Sequence, residues 1–187
     1  FYLGGGIGGF VLAIVISFKP KAAPFLSPIY AILQGAFLGT ISLAIAASSP
    51  AGSMLIVQAV ALTFGIFIAL LIGYGLGLVR LGSTATKVVI VATAGVAITY
   101  LASFVLSMFG IQVMGALHGS GMIGIGFSLF VIVLASLNLV LDFQFVERGV
   151  QAGAPKYMEW YAGFGLLATL IWLYIEVLRL LCKLNRR

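Results

Sequence analysis

The chain contains only four acidic side chains, and two of them lie inside long apolar runs. Asp142 falls within SLNLVLDFQF and Glu176 within LIWLYIEVLRLL. A carboxylate in hydrocarbon is costly unless it is protonated, paired or hydrated, so such residues usually mark a proton or ion pathway. Two acids facing each other could share one proton and, after ionisation at higher pH, repel each other or bind a cation. This chemistry predicts a pH-sensitive ion pathway built on Asp142 and Glu176.

Each of these acids also has a simpler interpretation, which the sequence leaves open. Glu176 could pair with Arg179 one helical turn later, a local interaction worth a few tenths of a kcal/mol on an exposed helix. Asp142 could reach toward the membrane surface, with Asn138 as its polar neighbour on the same helix face. A tight hairpin would also leave the two acids about 21 Å apart in height at ~1.5 Å per residue. They meet only if the connection between their helices folds back.

The remaining chemistry-bearing residues point away from catalysis and from tightly bound metals. His118 and Ser120 in HGSG suggest an intramembrane protease, but residues two apart on a helix point to different faces, which is poor placement for a base and its nucleophile. Cys182 is the single cysteine, and no Cys/His cluster has zinc-ligand spacing. We therefore expect no enzymatic activity and no cofactor. Two carboxylates would hold calcium weakly and transiently, which is enough for a leak.

The amino-acid composition indicates that these residues lie in a lipid bilayer. Of the 187 residues, 63% are hydrophobic and 7% are charged, too few polar groups to cover a water-soluble fold. The long apolar runs match the ~20 residues that a helix needs to cross a bilayer. The net charge of +6 could suggest nucleic acid, but the basic residues cluster at the ends of apolar runs, where they anchor helices to the membrane surface. We expect lipid, not nucleic acid, as the surrounding partner.

The sequence predicts a single all-α transmembrane domain covering residues 1–187. Proline, glycine and charge bound about six spans. These spans lie at about 4–18, 25–47, 53–79, 88–110, 121–146 and 158–181.

The connections between spans alternate in charge. Basic pairs follow the first, third and fifth spans and should face the cytoplasm by the positive-inside rule. These pairs are Lys19 with Lys21, Arg80 with Lys87, and Arg148 with Lys156. The tail, with Lys183, Arg186 and Arg187, then falls on the outer face, against the same rule. Either the last segment does not fully cross, or the earlier loops decide the orientation.

Glycines four residues apart predict close helix packing inside the bundle rather than a dimer seam. These pairs are Gly4 with Gly8, Gly5 with Gly9, and Gly35 with Gly39. Gln34, in YAILQG, is a neutral polar group that either lines the same interior as the acids or bonds between helices.

SLNLVLDFQ resembles the penultimate-helix pattern of the Bax inhibitor family, bacterial type, and WLYIEVLRLL resembles its last helix. The resemblance covers nearly the whole chain, with the family's first helix expected before Phe1. It implies seven helices in the complete fold, a central last helix, and an acid pair implicated in pH-dependent calcium leak. Asp142 and Glu176 are the expected pair, and Lys19 is the basic group expected at the end of the family's second helix.

From the residues and the resemblance together, we expect a calcium or cation leak channel of the bacterial inner (plasma) membrane, gated by the carboxylate pair. Asn138, Arg179, Gln34 and Lys19 are the expected supporting polar residues. The alternatives are a non-conducting scaffold or regulator that binds other membrane proteins and, less favoured, the intramembrane protease.

Overall fold

The computed structural model describes residues 2–48, 52–108 and 122–185. Within these ranges the chain is helical and has no strand. The helices are α1 (Tyr2–Phe18), α2 (Ala23–Ser48), α3 (Gly52–Gly75), α4 (Ser83–Met108), α5 (Met122–Gln151) and α6 (Tyr157–Asn185), and a short 3-10 turn (Pro20–Ala22) joins α1 to α2. The prediction of an all-α helix bundle is confirmed.

Five of these helices, α2 to α6, contain segments long and apolar enough to cross a membrane. The apolar part of α1, Gly8–Phe18, is shorter. Large apolar side chains such as Phe18, Phe25 and Leu78 remain exposed on the outer faces. Such a surface would be an aggregation hazard in water and is the expected one in lipid.

Some helix ends differ from the predicted spans, in both directions. α3 ends at Gly75, before residue 79, because the chain turns at Gly77, which has a positive φ of 75°. α4 begins at Ser83 rather than at residue 88, so Lys87 lies inside the helix. α5 and α6 likewise extend to Gln151 and Asn185. A charged residue ends an apolar run without ending the helix, since Lys and Arg are good helix formers.

The last helix, α6, lies at the centre of the bundle. It packs against α2, α3 and α5, and none of its residues from Phe164 to Lys183 is exposed. Its inner residues Leu173 and Val177 join Ala59 of α3 and Ala135 and Leu139 of α5 in the main buried cluster. At 29 residues, α6 is long enough to cross completely. The charged tail therefore follows a full-length helix.

The glycine prediction is confirmed for part of α1 and wrong for α2. A Cβ on Gly8 would lie 3.5 Å from Leu33, and one on Gly9 would lie 3.0 Å from Gln34, so this face of α1 packs closely on α2. Gly35 and Gly39 have no atom of the described residues within 4 Å of their Cβ positions. These two glycines point away from the packed face of α2, because α1 contacts the neighbouring positions Leu33, Gln34 and Phe37 instead.

Candidate functional site

Asp142 lies inside α5, facing α6. Its Oδ2 atom is buried and has no hydrogen-bond partner among the residues described. Its Oδ1 atom would lie 3.7 Å from a Cβ on Gly165, and the Thr169 hydroxyl is within hydrogen-bonding reach of the carboxyl group. A side chain larger than that of glycine at position 165 would occupy the space beside the carboxylate. The acid therefore has one weak polar neighbour on α6 and a free oxygen.

A cavity of about 390 Å³ opens beside Asp142, where α4, α5 and α6 approach one another. Among the described residues, its polar lining is provided by Thr86, Asn138, Asp142, Gln144, Arg148 and Tyr161. Thr86 Oγ1 and Gln144 Oε1 are also buried without a protein partner in the described part of the chain. Buried polar atoms are normally satisfied by protein, water or an ion. This cavity thus has the chemistry of a hydrated space.

Polar residues on α4 continue from this cavity along one face of the helix. Thr86, Thr93 and Tyr100 are spaced by seven residues, about two helical turns, and so lie on the same side. The Asn138 amide donates to Thr93 Oγ1 at 2.7 Å and to the Leu134 carbonyl at 2.9 Å. We call Thr86, Thr93 and Tyr100, with Asn138 and Asp142 opposite them, the polar seam. The seam residues on α5 were predicted from the sequence. Those on α4 were not, although their seven-residue spacing is visible there.

Glu176 lies at the far end of the polar seam, in a buried cluster of its own. Its side chain is 1% exposed. The Tyr100 hydroxyl donates to Glu176 Oε1 at 2.7 Å, and Arg179 Nη1 lies 2.8 Å from the same oxygen. Arg179 also donates to the Tyr100 hydroxyl at 2.9 Å and places its guanidinium over that ring. Oε2 of Glu176 has no partner among the described residues. The pairing with Arg179, one of the open interpretations, is present.

The expectation that Asp142 and Glu176 form one carboxylate pair is wrong for this structure. Asp142 lies level with Gly165 and Thr169 of α6. Glu176 follows these positions by seven to eleven residues, which is roughly 10 to 16 Å along a helix axis. The hairpin between α5 and α6 runs straight and does not fold back, since both helices continue unbroken to the connection. One calcium ion cannot contact both carboxylates, so a calcium site shared by them is also excluded here.

Lys183, which the sequence places in the charged tail after the last span, is buried and only 5% exposed. Its ammonium group donates to the Gly124 carbonyl at 2.8 Å and to Ser128 Oγ at 2.9 Å. These bonds tie the end of α6 to the beginning of α5. Burial is possible because the long side chain reaches polar atoms in the first two turns of α5.

A second polar cluster lies at the opposite, loop end of the bundle. Glu147 accepts a hydrogen bond from the Tyr74 hydroxyl. It also forms an ion pair with Arg80, whose Nη2 lies 3.2 Å from Glu147 Oε1. Arg80 also lies over the Tyr74 ring, 5.6 Å from its centroid. Glu147 thus joins α5 to the end of α3 and to the following loop. Its sequence neighbour Arg148 instead lines the Asp142 cavity.

Two expected supporting residues lie away from both acids. Gln34 packs against Gly9 of α1, 3.5 Å from the Tyr30 hydroxyl, and its Oε1 is buried without a partner in the described chain. Lys19 is exposed in the connection after α1. Neither residue lines the Asp142 cavity. His118 and Ser120 lie outside the described residues.

The described residues include no group of three or more His, Cys, Asp or Glu side chains placed to hold a metal ion. The two acids inside the bundle act singly, each among hydroxyl, amide or guanidinium groups. This arrangement can exchange a proton or hold a hydrated cation briefly, but it does not provide the six to eight oxygen ligands of a strong calcium site.

Comparison with known proteins places the chain in a family. Neither the curated proteins nor the solved structures contain a significant match. The model of the family described as "Bax inhibitor 1 like" matches residues 1–186, nearly the whole chain. The apolar helices and this match together establish an integral membrane protein. The chain belongs to the Bax inhibitor 1 like family.

Proposed function

We propose that this protein is a pH-sensitive cation leak channel of the bacterial inner membrane, with calcium as one of its ions. In this proposal the two acids act in sequence rather than as a pair. Asp142 binds ions and protons near the side of the bundle whose loops carry Lys19, Arg80 and Lys156. Glu176 belongs to a cluster that closes the ion route near the other side of the membrane.

The observation that carries the proposal is the free oxygen of Asp142 beside an open cavity. Oδ2 is buried without a partner in the described chain, and the cavity next to it is about 390 Å³. An ionised carboxylate in such a place requires water or a cation, because desolvation without a partner is costly. Arg148 and Tyr161 are the other titratable side chains that line the cavity among the described residues. Thr169 contributes a neutral hydroxyl from α6.

The polar seam supports an ion route from Asp142 toward Glu176. Thr93 and Asn138 lie between the two acids and are joined by a 2.7 Å hydrogen bond. A hydroxyl and an amide can replace part of an ion's hydration shell during passage, and weak binding at several positions favours conduction. Opening this hydrogen bond would require only a small movement of α4, which packs mainly against α5 in the described structure.

The Tyr100, Glu176 and Arg179 cluster supports a closed state at the far end of the seam. Arg179 supplies a positive charge 2.8 Å from Glu176. A guanidinium group on the route repels cations, as positive groups do in other selective pores. Lys183 lies on the same helix four residues later and ties this end of α6 to α5 through the Gly124 carbonyl and Ser128 Oγ. Release of this cluster is the opening step in the proposed mechanism.

The direction of the pH response follows from the charge of Asp142. At neutral pH the ionised carboxylate attracts cations into the cavity, whereas protonation at acid pH removes that charge. Purified protein reconstituted into liposomes should therefore release trapped calcium faster at neutral than at acid pH. Asp142→Asn should lower the flux at neutral pH and flatten its pH dependence, because the amide carries no charge at either pH.

Glu159→Gln is the matched control, since it removes one carboxylate from an exposed position at the beginning of α6. This variant should keep the pH dependence of the parent protein. A flux that equals that of empty liposomes at every pH would contradict the leak proposal. An Asp142→Asn profile identical to the parent profile would contradict the role of Asp142.

One structural observation favours a second candidate function, the non-conducting scaffold. Gly35 and Gly39 leave open space on the outer face of α2, beside the exposed side chains of Ile32 and Leu43. Glycines four residues apart allow another helix to approach closely in lipid. Capture of a specific membrane protein that is abolished by Gly39→Leu, together with absent flux, would support this candidate over the channel.

A further inference from the structure

A groove of about 670 Å³ lies between the beginnings of α2 and α6. Its walls are mostly apolar and include Pro28, Ala31, Phe164 and Leu167. Gly163 leaves the groove open, because nothing lies within 4 Å of its Cβ position. The volume falls within the ~300–1,000 Å³ of ordinary ligand sites.

The groove is lined partly by residues that are typical of the membrane surface. Lys156 and Trp160 line it at the first turns of α6, and Trp160 is 46% exposed. Tryptophan is enriched where hydrocarbon meets headgroups, and lysines near helix ends extend toward the phosphate layer. Ser27 donates to the Trp160 carbonyl at 3.4 Å and fixes α2 to α6 at this depth. The apolar walls of the groove match the acyl chain of a lipid, and the basic residue at its edge matches the headgroup.

The charges around the groove favour an anionic headgroup. Lys156 lines it, and the 3-10 turn next to α6 contributes Lys21, with Lys19 just before it. Glu159 is the carboxylate among the lining residues. The lining thus carries one positive and one negative charge, and the 3-10 turn that contacts α6 adds further positive charge nearby. Basic pockets between transmembrane helices on the cytoplasmic side typically bind anionic lipid headgroups.

We infer that this groove is a binding site for an anionic glycerophospholipid, with an acyl chain along the apolar walls and the phosphate near Lys156. None of the polar-seam residues lines this groove, although Phe164 borders both the groove and the Asp142 cavity. Bound lipid would hold α2 against the central helix, since it contacts both.

Fluorescence quenching tests the inference directly. The chain has two tryptophans, so Trp172→Phe leaves Trp160 as the single reporter. This protein is reconstituted into liposomes that contain brominated phosphatidylglycerol or brominated phosphatidylcholine in an unlabelled background. We expect half-maximal quenching at a mole fraction roughly fivefold lower for phosphatidylglycerol, the size expected for one lysine contact with a headgroup. Equal quenching by the two lipids would overturn the inference.

Three variants locate the effect. Lys156→Gln should remove the preference for phosphatidylglycerol, while Lys87→Gln, which removes a charge from α4 outside the groove, should retain it. Gly163→Leu should reduce quenching by both brominated lipids, because a Cβ at this position meets no described atom within 4 Å and the larger side chain would occupy the groove. Loss of the preference in Lys87→Gln, or unchanged quenching in Gly163→Leu, would overturn the assignment to this groove. Quenching insensitive to lipid together with larger oligomers would assign the groove to a protein partner instead.

Discussion

Arg179 Nη1 lies 2.8 Å from Glu176 Oε1, and the two residues are one turn apart on the central helix. Glu176 is 1% exposed at its side chain, whereas Arg179 is 31% exposed. The pair is therefore asymmetric. Loss of the arginine leaves a charge with no access to solvent, but loss of the glutamate leaves a guanidinium that can turn toward the surface. This asymmetry makes their separate contributions measurable.

Arg179→Gln should lower the free energy of unfolding by roughly 3 kcal/mol, since it removes the counter-charge of a buried carboxylate. Glu176→Gln should cost less, because Arg179 can remain solvated. The double variant should be about as stable as Glu176→Gln alone. Unfolding in detergent, followed by far-UV circular dichroism across a denaturant series, measures all three. Additive losses in the double variant would show that the pair does not interact.

The Tyr100 hydroxyl holds this pair to α4, so its removal should both weaken the fold and ease opening. Tyr100→Phe keeps the ring beneath Arg179 but loses the bonds at 2.7 and 2.9 Å, at an expected cost of about 1–3 kcal/mol. Calcium flux at neutral pH should rise, because the closure is released. Tyr74→Phe is the matched control, since it removes the hydroxyl that bonds Glu147 at the other end of the bundle. A fall in flux for Tyr100→Phe, or equal rises in both variants, would contradict the closure.

The sequence could predict the fold because a bilayer makes helix length and apolarity nearly sufficient evidence. It could also predict which acids lie inside the bundle, since Asp142 and Glu176 interrupt long apolar runs. It could not predict their partners. Asp142 faces Thr169 and Glu176 faces Tyr100, and these neighbours depend on the register between helices distant in sequence. Residue patterns along one helix do not specify that register.

The burial of Lys183 shows the same limit. A lysine near the end of a helix ordinarily extends toward water, and the position of Lys183 in a charged tail gave no indication of a buried partner. Its actual partners, Gly124 and Ser128, belong to the beginning of α5. Only the antiparallel packing of α5 on α6 brings these atoms together. The open face of Gly35 and Gly39 was missed for a related reason, since spacing identifies a glycine face without showing what covers it.

The Thr169 hydroxyl, which donates to the Gly165 carbonyl at 3.1 Å, lies near the Asp142 carboxyl, so a second carboxylate at that position would create the pair that the native chain lacks. In Thr169→Asp the two acids should share a proton, because two adjacent negative charges resist the second ionisation. The midpoint of the flux profile should then move to higher pH than in the parent protein. Thr169→Val, which has no titratable group, should leave that midpoint near the parent value. Liposome flux across a pH series distinguishes them, and identical profiles for the two variants would place Thr169 outside the pathway.

Gly9 and Gly35 provide a matched test of which helix faces are packed. A Cβ at Gly9 would lie 3.0 Å from Gln34 Cδ and Nε2, whereas one at Gly35 would meet nothing within 4 Å. Gly9→Leu should therefore force α1 and α2 apart and cost about 1–3 kcal/mol, the usual range for overpacking. Gly35→Leu should leave the free energy of unfolding nearly unchanged, because its side chain would enter lipid. Unfolding in detergent measures how much each variant changes the free energy of unfolding. Equal destabilisation by both substitutions would mean that Gly35 is covered by another chain, which is the contact expected of the scaffold function.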